Sequence, residues 1–72
     1  MSTLRDMLFT SAHADRAKAL LSLDILENHP AGIGDHSTTD FYKNAEEALS
    51  SLADADERLE TIEKYLDKKE VI

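Results

Sequence analysis

The sequence predicts an all-α protein, one antiparallel hairpin of two long helices, and three observations carry that expectation. Pro30, Gly32 and Gly34 are the only proline and glycines of the chain, and all lie in one segment, His29-Pro30-Ala31-Gly32-Ile33-Gly34-Asp35-His36. Phe41, Ala45, Ala48, Leu52, Ala55, Leu59, Ile62 and Leu66 recur in unbroken steps of four and three, the 3.5-residue period of a coiled-coil seam. A length of 72 residues leaves room for a single small domain.

The first helix is expected over about 3–28. Thr3 and Asp6 stand in the three-residue relation of a capping box at its front. Proline disfavours helical backbone at the residue before it, so the helix stops near Asn28 or His29, with Asn28 suited to the C-terminal cap. Its apolar residues divide into two sets. Phe9, Ala12, Ala19 or Leu20, Leu23 and Leu26 can face a second helix, whereas Met7, Ala14, Leu21 and Ile25 then face elsewhere. A helix apolar on two sides is normally buried on two sides.

The second helix is expected over about 38–68, with 68–72 as a frayed tail. Ser37 and Asp40 form a short capping box at its start, and an acid in the first turn complements the helix dipole. Tyr42, Leu49 and Tyr65 flank the seam and widen it. Its acids fall mainly off the seam, with Lys43–Glu47, Asp54–Arg58 and Glu60–Lys64 available as i,i+4 pairs on a solvated face. Rods of about 39 and 46 Å joined by so short a loop pack as antiparallel neighbours. Two helices alone give a thin core. The hairpin is therefore expected to assemble as a homodimeric four-helix bundle or a higher oligomer, with Leu20, Leu21, Leu23, Ile25, Leu26, Leu52, Leu59 and Ile62 as interface residues.

Composition narrows the function. Eight basic residues against fifteen acids give a net charge of −7, and a sequence pI near 4.7 argues against direct nucleic-acid binding, which draws its affinity from clustered Lys and Arg. Without cysteine there is neither a disulfide nor a Cys-based zinc site. No apolar run reaches the roughly 18–20 residues of a membrane span, and the N-terminus lacks the basic-then-apolar order of a signal peptide. A cytoplasmic protein with no membrane contact is expected.

The residues able to carry chemistry are few. His29, Asp35 and His36 share the loop, but their spacing matches no metal motif and no third or fourth ligand accompanies them. Gly32 and Gly34 before a helix start invite an anion, yet a Walker lysine is missing and Asp35 and Asp40 repel one. In an oligomer this loop (His29, Gly32, Gly34, Asp35, His36) becomes a possible ligand or partner site if Arg5, Arg16 or Lys18 of another chain meets it. His13 stands alone between Ala12 and Ala14. The cluster Leu4-Arg5-Asp6-Met7-Leu8-Phe9 reads as the distal plug of the bundle, or as a short anchor for a groove on a partner. No catalytic residue, cofactor or metal site is expected.

The stretch Ile25-Leu26-Glu27-Asn28-His29-Pro30-Ala31-Gly32-Ile33-Gly34-Asp35-His36-Ser37, followed by an acidic helix ending in Asp56-Glu57-Arg58-Leu59-Glu60-Thr61-Ile62-Glu63-Lys64-Tyr65, resembles small helical-hairpin proteins of T4-like tailed bacteriophages. The resemblance covers about residues 14–66, its turn being the most specific part, although here His29 stands between Asn28 and Pro30. It implies a phage protein made in the host bacterial cytoplasm and carries over no activity or functional residue. The expected function is thus a non-enzymatic phage accessory protein that self-associates and binds a host or phage protein during infection. A small-ligand sponge for a signalling nucleotide, an acidic DNA-mimic inhibitor and a minor virion component are the alternatives.

Overall fold

The computed structural model describes residues 3–28 and 38–66. Two helices account for them, α1 (Thr3–Asn28) and α2 (Thr38–Tyr65), packed against each other along their length. The expected bounds of α1 are met at both ends. Asn28 closes it through its own side chain: Nδ2 donates to the Asp24 main-chain carbonyl at 3.1 Å and to Asp24 Oδ1 at 2.6 Å. The Asp24 carbonyl is also the i−4 acceptor of the Asn28 backbone N–H, so the first bond adds a second donor to it and ties the side chain to the last turn. α2 ends at Tyr65, three residues short of the expected limit, although Leu66 N–H still donates to the Ile62 carbonyl at 2.8 Å. The connecting segment, with Pro30, Gly32, Gly34 and the Ser37 cap, and the tail from residue 67 lie outside the described residues.

Asp6 sits in the first turn of α1 and Asp40 in that of α2, where a carboxylate meets the positive end of the helix dipole. Asp6 also accepts from Arg5 at 3.3 Å. Arg5 in turn lies 4.5 Å from the centre of the Phe9 ring, and Phe9 meets the edge of His13 with centroids 5.0 Å apart. Steps of four residues place these three side chains in one row on the helix.

The hairpin core is thin. Its buried side chains are Ala12, Ala19 and Leu26 from α1 and Ala48, Ala55 and Ile62 from α2, each triplet spaced by seven residues. No large side chain is fully enclosed among the described residues. Four of the six are alanines, and small side chains let the two backbones approach closely while enclosing little apolar volume. Phe9 and Leu23 on α1, and Phe41, Ala45, Leu52 and Leu59 on α2, border this line half-buried. Between the two options for the α1 stripe, Ala19 takes the core position and Leu20 is 41% exposed. The physical reason is phase: Ala19 is one heptad from both Ala12 and Leu26, and Leu20 lies about 100° further round the helix.

The molecule is a rod of 57 × 16 × 15 Å with a radius of gyration of 16.2 Å, whereas a compact chain of this length is expected near 11 Å. Its accessible surface is 5700 Å²; the scaling of folded monomers gives about 4,450 Å² for such a mass. So long and thin a chain cannot hide all of its apolar side chains. Leu4, Met7, Leu21, Tyr42, Leu49 and Tyr65 are each more than half exposed.

Candidate functional site

Two ion pairs set the register of the hairpin. Arg58 Nη2 donates to Asp15 Oδ2 at 2.9 Å, and Arg16 Nε donates to Asp56 Oδ1 at 2.9 Å. Residues 15 and 16 point to opposite flanks of the α1 core stripe, since successive side chains differ by 100°. The two pairs therefore mark the two sides of the hairpin.

On the Asp15–Arg58 side runs an open groove of about 660 Å³, lined among others by Asp15, Lys18, Ser22, Asn44, Glu47, Ser51, Asp54 and Arg58. Arg58 is its best-held cation, because Nε also donates to Asp54 Oδ2 at 3.0 Å. The hydrogen bond to Asp15 is the main cause that raises the Arg58 pKa above its ordinary value; partial desolvation opposes it and the charge of Asp54 adds to it. Of the three i,i+4 pairs available on α2, the described residues close this one, Asp54–Arg58. Lys64 instead lies over the Tyr65 ring, 5.5 Å from its centre.

The Arg16–Asp56 side has an apolar centre, with charge at Arg16 and Asp56 and, further along each helix, at Glu27 and Glu63. Counting four and seven residues on from Arg16, and back from Asp56, sets Leu20 across from Leu52 and Leu23 across from Leu49. The same count of seven from Asp15 and Arg58 sets Ser22 across from Ser51. One flank of the seam thus repeats leucine where the other repeats serine. A third surface is the back of α1, where Met7, Ala14, Leu21 and Ile25 are exposed in a strip interrupted by Ser11 and Lys18.

The residues expected at an oligomer interface divide accordingly. Leu26 and Ile62, at 9% and 6% exposure, already lie in the core of the hairpin. Leu20, Leu23, Leu52 and Leu59 belong to the apolar side, and Leu21 and Ile25 to the back of α1, Ile25 also bordering the polar groove. The loop residues His29, Gly32, Gly34, Asp35 and His36 lie outside the described residues. Leu49 and the Ser22, Ser51, Asp15 and Arg58 constellation were not among the candidate site residues; the seven-residue spacing from Asp15 to Ser22 and from Ser51 to Arg58 is their signal in the sequence, but only a register turns it into a shared surface.

Among the described residues no group of three or more His, Asp or Glu is arranged to hold a metal ion. No described helix is long and apolar enough to cross a membrane. No protein-family model, curated protein or solved structure matches the chain.

Proposed function

We propose that the chain acts by assembly, as a non-enzymatic helical hairpin that self-associates into a homodimeric four-helix bundle and binds a host or phage protein during infection of a bacterium. The observation that supports this reading is the mismatch between a core built on four alanines and the large apolar side chains left in water, Leu21 and Leu49 at 59% exposure each among them. Large apolar side chains left this exposed on two surfaces of one hairpin favour protein interaction sites. Two separate apolar surfaces serve two contacts, one for a second copy and one for a partner. The phage setting rests on the resemblance carried by residues 14–66. Affinity capture of the tagged chain from infected cells tests the reading. One host or phage protein is expected in stoichiometric amount, and Leu21→Asp is expected to release it while the helical signal is kept; capture unchanged by Leu21→Asp and Ile25→Asp contradicts it.

A second reading, a sponge for a small signalling nucleotide, is favoured by the polar groove, whose volume falls in the range of ligand pockets and whose wall holds Lys18, Arg58, Asn44, Ser22 and Ser51. The carboxylates of Asp15, Glu47 and Asp54 on the same wall oppose a phosphate. A sponge requires that cyclic or linear nucleotides raise the melting temperature. An unchanged melting temperature at millimolar nucleotide removes this reading.

A further inference from the structure

The hairpin offers three surfaces for self-association, and they differ in what their burial costs. The groove side holds Asp15, Lys18, Glu47, Asp54 and Arg58, so covering it means desolvating several charges. The back of α1 is one helix wide and is broken by Ser11 and Lys18. The apolar side draws on both helices, and its centre holds Leu20, Leu23, Leu49 and Leu52 at neighbouring register positions with no charged residue between them. Charges border this centre at Arg16 and Asp24, each four residues from Leu20, at Glu27, four from Leu23, and at Asp56, four from Leu52; of these, Arg16 and Asp56 are already paired at 2.9 Å. They would form part of the rim, where a paired charge keeps its partner on burial.

The geometry points to the four-leucine side as the two-fold interface with a second copy of this chain. This rests on the self-association proposed above and adds which surface performs it. Area supports the choice of occupant. The chain exposes 5700 Å², about 1,250 Å² more than a folded monomer of its mass is expected to, and a stable interface of standard size removes about 800 Å² from each partner. The excess belongs to the whole elongated chain, and it exceeds what one such interface removes from each partner. A two-fold interface uses the same patch on both copies, and an uncharged leucine patch is self-complementary in a way that a groove with fixed charges is not. Pairing leucine side to leucine side also places four helices around one core, completing the burial of Leu23 and Leu52, which the hairpin leaves half-covered. The polar groove and the back of α1 then face outward on the dimer, free for a ligand and for a partner.

The chain has no cysteine, so single thiols report on each surface. Leu49→Cys probes the apolar side, Ser51→Cys the groove and Leu21→Cys the back of α1. Each full-length variant is weighed by sedimentation equilibrium at micromolar concentration, and the labelling rate of its thiol by a maleimide is measured there and after dilution. The expected result is a dimer mass, with Cys at 49 labelled at least tenfold more slowly in the dimer than after dilution, and Cys at 51 and at 21 labelled at one rate throughout. A dimer mass with the protection at 51 or 21, or with no difference between sites, overturns the assignment of the surface and leaves self-association standing. A monomer mass for all three variants and for the parent chain overturns both.

Discussion

Arg58 on α2 donates to the Asp15 carboxylate of α1 at 2.9 Å across 43 positions of sequence, and this bond ties the middle of α1 to the C-terminal part of α2. With its partner on the opposite flank, Arg16–Asp56, it fixes which residues of the two helices stand across from each other. Alanines fill the centre of that arrangement and leave it little side-chain bulk. Surface ion pairs contribute modestly to stability, but two of them on opposite flanks of a narrow seam discriminate against a slipped or rotated hairpin. The register then decides which apolar side chains remain outside.

The Arg16–Asp56 pair predicts a charge-swap result. Arg16→Asp sets two carboxylates against each other and lowers stability by up to about 1 kcal/mol; adding Asp56→Arg recovers most of the loss. Thermal melts followed by far-ultraviolet circular dichroism in a double-mutant cycle measure the coupling. Additive single effects would falsify the register.

Ala55 is fully buried at 0% exposure, so the interhelix distance there is set by a methyl group. Ala55→Leu forces the helices apart and costs about 1–3 kcal/mol by overpacking. Ala53→Leu, at an exposed position of the same helix, leaves the melting temperature nearly unchanged. Equal effects of the two substitutions contradict the alanine core.

Ile62 and Leu26 are the large side chains of the hairpin core. Ile62→Ala removes apolar contact and leaves a cavity, at a cost of about 2–5 kcal/mol, a large fraction of what so small a domain holds in reserve. Loss of most helical signal at 37 °C is the expected outcome, recovered by Ile62→Leu, which keeps the volume.

Alkaline pH leaves the Arg58 contact in place. Its pKa is raised in the fold, so its contribution is fully present below the unfolded value and is lost only as pH climbs through the folded one, above the ordinary arginine range. Helicity measured from pH 7 to pH 10 in the parent chain and in Arg58→Gln is expected to differ by a constant amount; a difference that fades within that window contradicts the ion pair.

Much of this fold was legible in the sequence, for identifiable reasons. Pro30 and the capping amide of Asn28 stop α1 by local chemistry, and local chemistry can be read from a short stretch. The seam from Phe41 to Leu66 is periodic over seven steps, and the structure buries or half-buries every member except Leu66, 46% exposed at the end of the helix. The division of α1 into one stripe facing α2 and one facing away, with Met7, Ala14, Leu21 and Ile25 in the second, also holds. Composition favours Leu20 in a core and phase favours Ala19, so the sequence allows either, and in the structure phase prevails. Tyr42, Leu49 and Tyr65 do not widen the core of the hairpin; each is about 60% exposed. The contacts between helices were not legible. Asp15 with Arg58 and Arg16 with Asp56 depend on how two helices slide past each other, and neither helix alone encodes that offset.

We propose that a 72-residue hairpin with an alanine core is completed by a second copy of itself. Light scattering coupled to size-exclusion chromatography, with helicity read on the same eluted peak, tests it most directly. A helical species of twice the 8.0 kDa chain mass is expected at micromolar concentration, losing helix and mass together on dilution. A fully helical, thermally stable species of 8.0 kDa over the same range contradicts it.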